Sequence, residues 1–393
     1  MTTTMTSAAY ELVIQPRGSL LFRDGRPFAA VPGARAASLD WPLPGTIAGA
    51  LRTHIGQACG WDWQGDGPER ALGIGVAGPL LLARDDPAGP WVLYLAAPRN
   101  ALTVRPVGAS EPVVYRLAPM PPAVGAGCDL PHPALWPLAV DVQAKSEGGA
   151  AFWPLEAMVS WLSEPNEPAP LRAACLGHLP KEARTHAAID HDRRAALEGA
   201  LFTTEHLVFP DVARAAAGRA RAMLCRVEGD LDGWQPGASE WLILGGERGL
   251  GMLGSPSGAS LWPALPPALE QRLAGSGRLT LTLITPAVFG QGWCPAWLDD
   301  DLVGSPPGAP QVRLRLRGAA VGRREAVSGW DRRWDRNRPK AVRSLAPAGS
   351  VYFFDVVDGA LDAAVARALW FDSLCDDTRD GWDGFGLALP GIW

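Results

Sequence analysis

A chain of 393 residues, 47% of them apolar and 20% charged, can bury sizeable cores, and its length fits two domains. Its 45 glycines and 37 prolines, about a fifth of the chain, exclude a long-helix bundle and favour short strands joined by many loops. The net charge of −5 conceals an asymmetry, because Gln311–Ser344 holds ten Arg and Lys340 against Glu325, Asp331 and Asp335. A basic run in an otherwise acidic chain is the footprint of a directed anion site. All 36 cations except Lys145, Lys181 and Lys340 are Arg, which suits phosphate forks and base stacking; G+C-rich codon usage accounts for the same ratio.

The six cysteines are scattered without a C-x-x-C pair and read as reduced thiols. His186 and His191, five apart, fall on different faces of either a helix or a strand, so neither a metal nor a cofactor is expected. Met1–Tyr10 lacks the basic and apolar regions of a signal peptide, and apolar stretches such as Ile74–Ala83 fall short of the ~20 residues of a span. The expectation is a cytoplasmic protein with no membrane contact.

In chain order, Tyr10–Pro16 alternates as an opening strand and Leu20–Phe22 is a second apolar piece. Pro42 and Pro44 halt the chain, Thr46 is placed to cap a helix starting near Ile47, and Ile47, Ala50, Leu51, His54, Ile55 and Ala58 share one helical face until Gly60. Ile74–Ala83 and Trp91–Ala96 read as strands. Val107–Pro170 is Pro-rich and irregular around a helix at Pro154–Leu162, and Lys181–Ala200 looks like an inserted basic arm or hairpin. Strands resume at Leu201–Phe209, Ala222–Glu228, Glu240–Leu244, Arg278–Ile284, Gln311–Val321 and Ser350–Val357, followed by a helix at Leu361–Phe371. A strand, a helix and a hairpin open a ferredoxin-like half, so the fold expected is α+β. It comprises two ferredoxin-like (RRM-like) modules, 1–200 and 201–393, with Gly-rich loops and inserted hairpin or loop segments.

Three stretches carry candidate chemistry. The arm from Arg184 through His186 to His191 is either a solvated hairpin or a basic finger lying along a single strand of nucleic acid. Gly245-Gly246-Glu247-Arg248 follows a strand, and its glycines suit either an anion nest or a plain left-handed turn. Trp330 to Trp334 interleaves Trp with Arg as a base-stacking platform does, although a Trp buried between domains fits equally. Phe289-Gly290-Gln291-Gly292-Trp293 and Gly384–Gly391 repeat the Gly–aromatic theme. No nucleophile elbow or metalloprotease motif is present. His54 is placed either as a core histidine or as a general base for metal-independent ribonuclease chemistry.

Gly18–Phe28 and Pro42–Thr53 resemble the N-terminal signature of the third-subunit family of the Cmr complex, the type III-B CRISPR RNA-guided interference machine, within the RAMP superfamily. The resemblance continues through Glu198–Phe202, Leu244–Glu247, Ser328–Asp331, Pro347–Val351 and Gly384–Trp393. It departs in Val107–Pro180 and Leu253–Gly277. It implies a non-catalytic subunit that grips the 5′ handle of the crRNA and docks to the large polymerase-like (HD/Palm) subunit and to a backbone RAMP subunit. The residues expected to hold RNA are Arg23, Arg26, Arg52, Thr53, Arg184, His186, Gly245, Gly246, Arg248, Gln291, Trp330, Arg332, Lys340 and Arg343. A repeat-cleaving endoribonuclease with His54 as base is the rival expectation.

Overall fold

The computed structural model describes residues 8–26, 28, 33–86, 88–106, 111–142, 145–165, 169–170, 174–190, 192–210, 220–331 and 338–393, with the backbone alone at 169–170 and 330–331. Two compact units divide the chain. The first comprises Met1–Trp91, His178–Leu261 and Ala326–Arg343; the second comprises Val92–Gly177, Trp262–Glu325 and Ser344–Trp393. They are interleaved along the chain rather than contiguous halves, and the expected boundary at residue 200 falls inside the strand Ala195–Leu207.

The first unit contains β1 (Ala8–Pro16), α1 (Pro44–Ala58), β2 (Gly75–Arg84), β3 (Lys181–Asp190), β4 (Ala195–Leu207), β5 (Ala220–Gly229), β6 (Glu240–Leu244) and β7 (Gly249–Gly254). Five of these strands lie side by side in the order β6-β7-β1-β5-β2, every pairing antiparallel. β1 and β2 therefore run parallel, joined through α1 with β5 between them, which is a split β-α-β arrangement. The apolar stripe of α1 explains its seat: Ile47, Ala48, Leu51 and Ile55 are fully buried against Leu12, Ile14, Met223, Cys225 and Val227. Pro44, rather than a Thr46 cap, starts the helix. Leu43 is extended at the cap position, and proline's fixed φ suits the first turn.

In the second unit the main strands are ordered Leu387–Gly391, Arg278–Leu283, Val351–Asp358 and Arg313–Ala320, again all antiparallel. Numbered along the chain, this is the same 4-1-3-2 order as β7, β1, β5 and β2. Here the first connection is irregular, and the second carries the helix Ala363–Ala368, capped by the Asp362 side chain accepting from Val365 N at 2.8 Å. Tyr352, Phe353 and Phe354 are fully buried in this sheet. Among the described residues, no helix is long and apolar enough to cross a membrane.

Candidate nucleic-acid interface

The basic arm is a long antiparallel hairpin of β3 and β4, with Glu182 opposite His206, Arg184 opposite Thr204 and His186 opposite Phe202. Directly paired residues project to the same side, so these six side chains share one face. The opposite face and the outer edge of β4 anchor the arm. Arg35 meets Glu205 at 2.6 Å, Lys181 Nζ meets Asp40 at 2.7 Å, and Thr203 and Thr204 pair in parallel with Arg35 and Ala36. At the root, Leu20 bridges to Leu207. There the Ser19 hydroxyl donates to Glu182 at 2.6 Å and accepts from Arg184, and its hydrogen bond leads the effects holding the Glu182 carboxyl below its ordinary range.

An aromatic ladder crosses the face that carries His186 and Phe202. The His186 ring stacks on Phe202 with centroids 5.1 Å apart and an interplanar angle of 14°, and Phe202 meets Phe28 edge-on at 5.8 Å. The guanidinium of Arg23 lies over Phe28, 5.9 Å from the ring centre. All three rings are half-buried, and Arg23 is exposed. Half-exposed π faces beside arginines are what unpaired bases stack on. Arg26 is exposed on the same loop, 3.3 Å from Asp24.

The Gly245–Arg248 turn closes this face. Gly245 has φ +65°, and a Cβ there would lie 2.5 Å from the Leu21 carbonyl oxygen. Gly246 N donates to that oxygen at 2.8 Å. The glycines thus let the turn dock onto Leu20–Phe22, and the Gly246 N–H is spent on protein, so the nest reading gives way to a close-packed turn. Glu247 and Arg248 take φ of +56° and +51°, a left-handed pair costing roughly 1–3 kcal/mol per residue. Arg248 points outward and is exposed; the Glu247 carboxylate lies 3.8 Å from His186 Nε2 and 3.5 Å from His206 Nε2. Thr204 Oγ1 sits between the imidazoles, 2.7 Å from His186 Nε2 and 2.9 Å from His206 Nε2. His206 is 2% exposed, and burial, helped by Arg184, holds it below its ordinary pKa.

The basic run divides between the units. In the second, Arg313, Arg315 and Arg317 alternate with buried Leu314 and Leu316, and Arg317 is committed to Asp355 at 2.5 Å and to the Trp136 ring. In the first, Trp330–Asp331 pairs with Arg338–Pro339 in a short hairpin, with Lys340 N donating to Gly329 O. Arg338 and Lys340 are exposed, and Arg343 is half-buried. This hairpin begins beside the arginine loop, since a Cβ on Gly25 would lie 3.5 Å from Ala326 O. Arg332 and His191 lie outside the described residues.

Not every expected residue joins this face. Arg52 is 6% exposed, and its Nε and terminal nitrogen donate to Ile74 O at 3.0 and 2.7 Å, so it ties α1 to the start of β2 instead of facing solvent. The exposed Thr53 hydroxyl donates back to Gly49 O within the helix. Gln291 belongs to the second unit, in a turn closed by Gly292 N on Phe289 O. His54 Nε2 is engaged by the Glu240 carboxylate, and its ring packs edge-on against Trp234. Sequence reasoning missed Phe28, Phe202, Thr204, His206 and Glu247. The register of the arm was the signal: once His186 opposes Phe202, Thr204 and His206 follow on the same face.

The family model of the CRISPR-associated protein (Cas_Cmr3) matches residues 12–393. The chain therefore belongs to the Cmr3 family and is a subunit of the type III-B CRISPR ribonucleoprotein complex. No curated protein matches the chain. Among solved structures, the type III-B Cmr-beta bound to cognate target RNA and AMPPnP contains a similar chain at 15% identity, with a TM-score of 0.40 over 87% of this chain and 86% of that one. The Csm3–Csm4 subcomplex of the type III-A interference complex contains another at 10% identity, TM-score 0.33, over 89% and 94%.

Proposed function

We propose that the chain is the non-catalytic subunit that holds the 5′ handle of the crRNA, gripping it on the first unit between the arm, the Arg23–Arg26 loop and the 326–343 hairpin. One observation carries this reading: the Arg23–Phe28 loop and the arm, far apart in sequence, converge to set Arg23, Phe28, Phe202, His186 and Arg184 on one face. Aromatic faces would take bases, and Arg23, Arg26, Arg184, Arg248, Lys340 and Arg343 would take phosphates. The 4-1-3-2 strand order supports reading each unit as a ferredoxin-like module that has lost one of its two helical connections. Trp241, Ile243 and Leu250, exposed on the β6–β7 hairpin, supply apolar surface for docking a subunit, and the large polymerase-like subunit and a backbone RAMP are the partners this reading assigns.

The test is handle-RNA binding by the chain in complex with its large partner, across a salt series. Phe202→Ala should weaken binding with the slope unchanged, and Arg23→Ala should weaken it with a shallower slope; native behaviour in both would refute the assignment. The ribonuclease alternative predicts cleavage of repeat RNA abolished by His54→Ala. The engagement of His54 by Glu240 favours a tether between α1 and β6 instead.

A further inference from the structure

We infer that His186, His206 and Glu247 form a zinc-binding site that fastens the arm to the Gly245–Arg248 turn. The three contribute imidazole, imidazole and carboxylate from β3, β4 and the β6–β7 turn, and their ligand atoms all lie within 4.8 Å of one another. Ligands of tetrahedral zinc with bonds of 2.0–2.1 Å stand about 3.3 Å apart. The gaps from the imidazoles to Glu247, 3.8 Å from His186 to Oε1 and 3.5 Å from His206 to Oε2, each exceed that separation by no more than about half an ångström.

Two features of the backbone and side chains point the same way. Both Nε2 atoms converge on the single Thr204 hydroxyl, so the imidazoles are already aimed at one point. That hydroxyl has one proton, so it donates to one imidazole and accepts from the other, a pairing that a turn of the Thr204 side chain would release. Glu247, with Arg248, holds a left-handed conformation that glycine would adopt without cost, and it is the carboxylate of this strained pair that faces the histidines.

The donor set selects the metal. Two imidazoles and one carboxylate suit zinc with a fourth position left to water, whereas magnesium and calcium favour more oxygen ligands. Affinity should be moderate. His206 Nδ1 is buried with no hydrogen-bond partner among the described residues, so it lacks the acceptor that usually orients a metal-bound histidine, an omission typically worth about 10–100-fold. Bound there, zinc would link residues 20 and 60 positions apart in the chain, roughly, and hold the arm against the turn at the end of its anchored root. The inference concerns metal binding and stands whether or not this face holds RNA.

The experiment is zinc titration of the full chain, with a chromophoric chelator as competitor and Co2+ as a spectroscopic substitute. One zinc per chain is expected, with tetrahedral Co2+ bands in the visible spectrum. His186→Ala and Glu247→Gln, both at partly exposed positions, should each lower zinc affinity at least about 10-fold and remove those bands. His178→Ala and His132→Ala should bind as the native chain does. A native chain that binds no stoichiometric zinc, or native affinity in both ligand variants, would overturn the site and leave Thr204 as an ordinary hydrogen-bond hub.

Discussion

The two units build their sheets in one strand order and finish them differently. The first spans its opening crossover with the 15-residue α1 and replaces the second crossover by the β6–β7 hairpin; the second leaves its opening crossover irregular and places Ala363–Ala368 in the closing one. Their arginines also differ. In the second unit Arg317 and Arg278 both reach Asp355, and Arg367 forks onto Glu270. In the first, Arg23, Arg248, Arg338 and Lys340 stand exposed around an arm and turns inserted between the strands. Arginine in one sequence run thus serves packing on a strand and surface charge on a hairpin, and only the surroundings distinguish the two.

Changes matched between the units can break this comparison. The largest effect should come from Leu51→Ala, which empties a fully buried site under the long helix of the first unit and should cost about 2–5 kcal/mol in chemical denaturation. Leu269→Ala, on the short helix Pro267–Leu273 beside other helices, should fall at the lower end of that range; equal losses would mean that α1 has no special role. Arg52→Ala should destabilise by about 1–3 kcal/mol by leaving Ile74 O short of its buried donors, without altering the salt slope of RNA binding.

Phe202→Ala should cost ~1–3 kcal/mol of handle binding, measured by filter binding of the partnered subunit. In the second unit, Asp372 is half-buried, its Oδ2 shielded from solvent and without a hydrogen-bond partner among the described residues, and desolvation raises its pKa above 3.8. Because the folded value is raised, its carboxyl costs no stability below the unfolded value, and the penalty grows as pH rises through the folded one. Asp372→Asn should therefore raise the melting temperature at pH 7, with the gain shrinking toward pH 4 in calorimetry. Arg23→Ala should produce the smallest change, lowering the salt slope of RNA binding by roughly one.

Much of the fold was legible because its periodicities are local. The stripe Ile47–Ile55 and the strand at Gln311–Val321 announced the elements found, and the arm at Lys181–Ala200 announced a hairpin whose second strand runs on to Leu207. The interleaving of the units was not legible, since it depends on which distant strands pair. The same limit shaped the site: Arg184, His186 and the Gly245–Gly246 turn stood out singly, whereas Phe28, His206 and Glu247 join them only through hairpin register and turn docking. Arg52 misled because its i, i+4 neighbours leave it at the edge of the apolar stripe, where a long side chain can turn either to solvent or, as here, to a backbone carbonyl.

The most direct test is ultraviolet crosslinking of the assembled complex carrying handle-labelled crRNA, with adducts on this subunit mapped by mass spectrometry. The account predicts adducts on the first unit at Phe28, Phe202 or His186, lost or displaced in Phe202→Ala. Adducts confined to the second unit, or none on this subunit, would contradict it.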